Sequence, residues 1–420
     1  MVMTNRVSAG ADSQTFGGLQ LRVAVLCGLI QALDGYDLSA IGLAVPSLTK
    51  AWSMPPAAFT QAFALSSVGI MVGAMLAGPI ADRFGRKPVL LLSVALFGLF
   101  SLLSAWAPSL QILVALRFFT GIGIGGAMPT TVALTSDYTP DRWRTSVVMF
   151  MFTGNTIGGF FAGQIAAQIL PRWGWQGIFY VGGIVPLVLL AVLIFILPES
   201  PQFQRGARPA SAQANPVSGL FADGLAVSTL LLWAIFLINL LNMYLIGYWL
   251  PTVLNLEGFS PADAAFAASI YSLGGIMITL LLGPVIARLG AERVLATSLL
   301  FGALCIGIVA TVRMPHVWIM IVLFGAGGGF VGSQLGLNGF AAAIYPAATR
   351  STGIGWALGI GRLGGIAAPA LGGYLLSIGL PPREIFLSAC GFALIAAIAT
   401  ALLVFRGVRA PVLTSQEAAQ

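Results

Sequence analysis

A succession of apolar runs from Leu21 to Phe405, separated only by short clusters of charge, proline and glycine, leaves this chain few ways to fold. A helix that crosses a lipid core about 30 Å thick needs about 20 apolar residues, because each residue advances it by about 1.5 Å. Read this way, the runs predict spans near 21–45, 58–80, 89–107, 110–135, 145–169 and 176–197. A second set is expected near 225–254, 263–286, 294–312, 316–343, 351–379 and 385–405. Only 8% of the residues are charged and 58% are hydrophobic, whereas a soluble domain is about 25% charged. A water-soluble enzyme is therefore nearly excluded.

The expected fold is an all-α membrane protein with about twelve transmembrane helices in two six-helix bundles. Pro198 to Gly224 carries Glu199, Arg205, Arg208 and Asp223 among Pro, Ser and Ala. It reads as a linker over 199–224, leaving 1–198 and 225–420 as the two bundles. Residues 1–20 contain no apolar core, so a cleaved signal peptide is not expected. Basic residues fix the orientation. With the amino terminus inside, the inner set is Arg6, Arg22, Arg83, Arg86, Lys87, Arg142, Arg144, Arg205, Arg208, Arg288, Arg293, Arg350, Arg406 and Arg409. The outer set is Lys50, Arg172, Arg313 and Arg383. Both termini are expected in the cytoplasm. The net charge of +7 then reports topology rather than a nucleic-acid partner.

An internal repeat supports two bundles of parallel topology. Gly78-Pro79-Ile80-Ala81-Asp82-Arg83-Phe84-Gly85 aligns with Gly283-Pro284-Val285-Ile286-Ala287-Arg288-Leu289-Gly290 at an offset of 205. An offset of 206 brings Gly121 and Gly123 onto Gly327 and Gly329, and Arg144 onto Arg350. Aligning Asp34-Gly35-Tyr36 with Asn242-Met243-Tyr244 suggests an acid in one half where the other has an amide.

The loop Asp82-Arg83-Phe84-Gly85-Arg86-Lys87 resembles the signature loop of the major facilitator superfamily. The second copy at 283–290, the Asp137-to-Arg144 stretch and Tyr345-Pro346 through Arg350 fit the same family. Leu33-Asp34-Gly35-Tyr36-Asp37-Leu38 is similar to the first-helix motif of its aromatic acid/proton symporters. The resemblance implies a secondary transporter of the cytoplasmic (inner) membrane. It would import an aromatic carboxylate such as benzoate or a hydroxybenzoate together with protons, by alternating access and without a cofactor.

The residues carry a physical reading of their own. Asp82, with Arg83, Arg86 and Lys87, forms a charged helix end that can latch neighbouring helix termini or merely enforce topology. In the second copy Ala287 and Glu292 replace the acid and the lysine. Asp34 and Asp37 are the acids deep within a predicted span, and their i,i+3 spacing places them on one face. They lie roughly 20 and 24 Å from the inner end, and Arg117 reaches about 12 Å in from the outer side. An ionisable group in lipid is expensive unless paired or facing water. Two acids against one arginine leave one acid free to exchange a proton, unless the cluster only fastens two helices; the sequence leaves open which acid pairs.

Arg362 falls near the midplane of the eleventh span, with no acid of its own half at that depth. Its planar fork suits a substrate carboxylate, although a gate or a contact to backbone carbonyls would also satisfy it. Asn242 and Tyr244 on the seventh span and Asn338 on the tenth are further candidates for substrate contact, alongside Asn239, Tyr248, Trp249 and Gln334. Ordinary interhelical polar contacts are the alternative.

Other chemistries find little support. Cys27, Cys305 and Cys390 have neither metal-ligand nor redox spacing, and His316 is the sole histidine. The GxGxxG matches at Gly121–Gly126 and Gly359–Gly364 lack a strand-to-helix setting and read as close-packing helix surfaces. A proton-coupled antiporter exporting hydrophobic or drug-like compounds is the alternative transport reading, disfavoured by Arg362.

Overall fold

The structure, a computed structural model, describes residues 17–204, 218–222, 224–345 and 349–405. Arg6, Arg205, Arg208, Asp223, Pro346, Arg406 and Arg409 lie outside the described residues, as does most of the expected linker. The described elements are helical. They are α1 (Gly18–Trp52), α2 (Thr60–Phe84), α3 (Arg86–Ser104), α4 (Leu110–Tyr138), α5 (Asp141–Ile196) and a single turn α6 (Pro201–Gln204). Then follow α7 (Ala226–Leu256), α8 (Pro261–Leu289), α9 (Ala291–Thr311), α10 (His316–Ile344), α11 (Arg350–Ser377) and α12 (Arg383–Phe405). Among the described residues, 11 helices are long and apolar enough to cross a membrane.

One boundary differs from the sequence reading. Spans expected at 145–169 and 176–197 are joined in α5, a 56-residue element that would run about 84 Å if straight. It is interrupted at Gly174, whose φ of 63° and ψ of −164° are not helical. A residue with a Cβ rarely adopts that backbone, so glycine makes the turn without a polar loop. The part before Gly174 packs on α1 and α8, where Cβ atoms at Gly158 and Gly163 would collide with Ala32 and Ala265 backbone. The part after it packs on α3, where Gly183 meets Leu102.

The repeat is visible in the packing. A Cβ at Gly69 would strike the Phe118 carbonyl and one at Gly121 the Ser66 carbonyl, pinning α2 against α4. At the matching positions Gly274 approaches the Phe324 carbonyl and Gly327 the Tyr271 carbonyl, pinning α8 against α10. Small residues let membrane helices approach this closely. Gly85 and Gly290 close the two equivalent turns with φ of 99° and 88°.

The contacts between α1 or α7 and their partners correct the register suggested for Asp34. A Cβ at Gly158 would meet Ala32 O and Tyr36 N, and one at Gly364 would meet Leu237 O and Leu241 N. These pairs are offset by 205, so Asp34 corresponds to Asn239 and Asp37 to Asn242. The three-residue triplet match was misleading because it aligned a tyrosine that packing does not place equivalently.

The halves meet through α5 with α8, α2 with α11, and α1 with α7. They are joined unevenly. At the end holding the α1–α2 connection, one core includes Leu43, Val45 and Phe63 together with Leu245, Trp249 and Val253. Phe63 lies 4.7 Å from the Tyr248 ring and 5.4 Å from Trp249. At the opposite end, which holds the α2–α3 turn, each half has its own core. Val23, Ile30 and Phe97 belong to one, and Leu232, Phe236 and Phe340 to the other.

Candidate functional site

The charges in the first half separate into a sealed pair and an unpaired acid. Arg117 on α4 donates from Nη1 to Asp37 on α1 at 3.0 and 3.2 Å, and from Nη2 to Ser104 and Thr120 at 3.0 Å each. Ser101 donates to Asp37 Oδ1 at 2.6 Å. The Phe179 ring lies 5.0 Å from the guanidinium carbon. Arg117 is 1% exposed and Asp37 2%, so this pair is fixed by four helical segments. Hydroxyls supply most of the hydrogen bonds that a buried ion pair requires beyond charge, and Arg117 Nε alone of its donors is buried without a partner.

Asp34 is one helical turn away and is 1% exposed, yet its Oδ1 has no hydrogen-bond partner. The charges it senses most are Arg362, across the boundary between the halves, and Asp37. Tyr244 lies in the field of Arg362 and of Asp34 itself. Arg362 is half-buried, forms no salt bridge among the described residues and donates from Nη2 to the Met128 sulfur of α4. With Tyr244, Ser67, Ile70 and Met71 it lines a cavity of about 30 Å³ between α2, α7 and α11. That is about the share of one water molecule in the liquid. The helices therefore have to part before a ring enters.

The amides are distributed differently. Asn242, 1% exposed, donates to the Ala389 carbonyl of α12 at 2.9 Å and so faces that helix. Asn239 donates to Gln334 Oε1 at 2.9 Å, and Gln334 donates to Asn338 Oδ1 at 3.4 Å. This amide chain bridges α7 and α10, with Asn338 half-buried at its end. The Tyr244 ring lies tilted against that of Tyr248, with centroids 5.6 Å apart.

At the α2–α3 turn, Asp82 and Arg83 are exposed, and Arg83 lies over the Phe84 ring. The tie that exists runs through other acids. Glu199 accepts from the Arg86 and Lys87 backbone N–H groups at 2.9 and 3.1 Å, capping α3 where unpaired amides favour a negative charge. The Arg86 guanidinium pairs with Asp137 and reaches Ser200, while Lys87 Nζ donates to the Ile194 carbonyl at 2.8 Å. Tyr138 donates to the Glu199 carbonyl at 2.7 Å.

Sequence reasoning did not find Ser101, Ser104, Thr120 or Glu199 as partners. Ser101 and Ser104 carried a signal, an i,i+3 polar pair in an apolar span, but nothing in their spacing pointed to a guanidinium 13 residues beyond Ser104. Glu199 falls in the linker by sequence, and its role arises only where distant helix ends meet.

This architecture has known counterparts. The chain is 35% identical to the gallate transporter of Pseudomonas putida over 396 residues, covering 88% of each chain. It is 34% identical to the 4-hydroxybenzoate transporter PcaK of Pseudomonas aeruginosa, covering 96% of each. Among solved structures, a mutant of the nucleoside transporter NupG superposes with a TM-score of 0.75 at 15% identity. The match covers 92% of this chain and all of that one, and supports the fold alone. Residues 27–333 and 232–419 match the family described as Major Facilitator Superfamily. With paired glycine-packed helices, a repeated turn at Gly85 and Gly290, and this match across nearly all of its length, the chain belongs to the Major Facilitator Superfamily.

Proposed function

We propose that this protein imports a monoaromatic carboxylate, of the benzoate or hydroxybenzoate kind, together with a proton across the cytoplasmic membrane. The gallate and hydroxybenzoate relatives support the substrate class. In this reading α5 crosses the membrane twice about Gly174, giving twelve spans. The bundles 1–198 and 225–420 flank the linker 199–224, and both termini lie in the cytoplasm.

The observation that carries the mechanism is the buried Asp34, whose Oδ1 has no hydrogen-bond partner and which lies in the field of Arg362 of the other half, while Asp37 is occupied by Arg117. Asp34 carries the proton. Arg362 receives the substrate carboxylate through its fork, and Tyr244 presents a ring face and hydroxyl beside it. Asn338 can serve a ring substituent at the end of the amide chain. Asn242 acts at one remove, by holding α7 to α12. When the substrate anion neutralises Arg362, the electrostatic hold of that cation on Asp34 weakens and favours its protonation. Anion and proton binding are thereby coupled.

The joined core at one end and separate cores at the other support an inward-facing arrangement. The exposed Asp82 is then a latch undone in this state, which engages the second half when the cytoplasmic end closes. Arg83, Arg86 and Lys87 hold that end in shape. The test is uptake of labelled benzoates by proteoliposomes with and without an inwardly directed proton gradient. Accumulation above equilibrium only with the gradient is expected. Uptake indifferent to the gradient, or proton-driven export of a neutral hydrophobic compound instead, would refute the reading.

A further inference from the structure

A cavity of about 550 Å³ opens at the joined end of the second half and shares no lining residue with the Arg362 site. Its floor is apolar and buried, including Phe259, Ile319 and Phe386 at 3%, 7% and 1% exposure. Its rim carries Glu257, Arg313, His316 and Arg383. Arg383 Nε donates to Glu257 Oε2 at 2.7 Å, which uses the one carboxylate of the rim. Arg313 makes no salt bridge among the described residues and is exposed. The His316 ring stacks on Phe259 with centroids 3.8 Å apart and planes 21° from parallel. Aromatic faces over an apolar floor, beside an unpaired guanidinium, suit a ring that bears a carboxylate.

The repeat supplies an internal control. At the repeat offsets, Trp52, Ala107, Leu110 and Gly177 of the first half stand where the second has Glu257, Arg313, His316 and Arg383. That corner is filled by Trp52 against Phe59 and Trp175, with centroids 6.0 and 5.6 Å apart. The fold therefore needs neither the charges nor the hollow at this place.

We propose that this cavity is a second binding site for the organic carboxylate, an antechamber in which Arg313 pairs with the anion and the ring lies against His316 and the apolar floor. The inference rests on the reading of carboxylate import given above. It is tested by equilibrium binding of labelled benzoate to the full-length protein in nanodiscs of neutral phosphatidylcholine. Two molecules per chain are expected for the wild type. Arg313→Gln should weaken one of the two by about tenfold, and Arg313→Lys by less, because it keeps the charge but loses the fork. Arg362→Lys should weaken the other. At low external substrate, uptake by Arg313→Gln proteoliposomes should show a raised KM, whereas efflux from the opposite face should not.

A single bound benzoate that depends on Arg362 and is indifferent to Arg313→Gln would overturn the antechamber and leave the import reading intact. Conversely, Arg313-dependent binding without any wild-type uptake would refute import and leave the site. If Arg313-dependent binding disappears in nanodiscs containing anionic phosphatidylglycerol, the rim is a lipid headgroup site and the proposal fails.

Discussion

The two halves of this protein are built on one packing scheme but place opposite chemistries in it. Asp34 and Asp37 of the first half stand where the second has Asn239 and Asn242, and Arg117 stands where the second has Leu323. Asp37 reaches into α3 and α4 through Ser101 and Arg117, while Asn242 donates to the Ala389 carbonyl and leaves its buried Oδ1 without a partner. Leu323 is fully buried in an apolar core. The bundle can thus be made with an amide and a leucine, so the ion pair is not a requirement of the fold. The second half places its own deep charge on α11, where Arg362 corresponds to Thr156 of the first. Opposite deep charges on opposite halves are what the proposed alternating-access mechanism would use.

The largest effect is expected at the acid that has no counterpart charge. Asp34→Asn makes the first half resemble the second, where Asn239 stands. It should abolish proton-driven accumulation in proteoliposomes while substrate counterflow persists. Gradient-driven uptake at the wild-type rate would remove Asp34 from the coupling.

The sealed pair is tested by making one half more like the other. Arg117→Leu alone strands a buried Asp37, and losing one partner of such a pair destabilises by about 3–5 kcal/mol. Asp37→Asn combined with Arg117→Leu reproduces the second half's Asn242 and Leu323, and should recover most of that loss in thermal unfolding. A double variant as unstable as the single would show that the pair is required for packing.

A smaller effect is expected at Arg362. Arg362→Lys keeps the cation but loses the bidentate fork, removing about 1.5–3 kcal/mol of a charge-assisted pair. At about 1.4 kcal/mol per tenfold, the affinity for a carboxylate should fall about ten- to a hundredfold. An amide analogue of the substrate should be little affected. Equal losses for both ligands in a binding titration would make Arg362 structural.

The smallest effect concerns the turns. Glu199 caps α3 from 113 residues away, whereas in the second half Glu292 sits within the first turn of α9 itself, 8% exposed. Glu199→Gln should lower thermal stability by about 1 kcal/mol through loss of the charge at the helix N-terminus. Substrate affinity should be unchanged, and a large affinity loss would tie this turn to the site.

The spans expected at 145–169 and 176–197 are joined in one element interrupted at Gly174, but most of the helical spans, the repeat and the deep ionisable residues were legible in the amino-acid order. Each follows from the local demand of lipid on length and charge, and that demand is written residue by residue. Asp34, Asp37, Arg117 and Arg362 stood out because a charge in an apolar run is conspicuous wherever it lands. Helix packing, by contrast, assigned Arg117 to Asp37 and left Asp34 without a partner, because that choice depends on how α1 is rotated against α3 and α4 and on hydroxyls from other helices. Packing also turned Asn242 toward α12, gave the α3 cap to Glu199, and moved the register of the repeat by three residues. In each case the outcome rests on distances between segments far apart in the chain, set by glycine contacts that allow one approach of two backbones and exclude its neighbours.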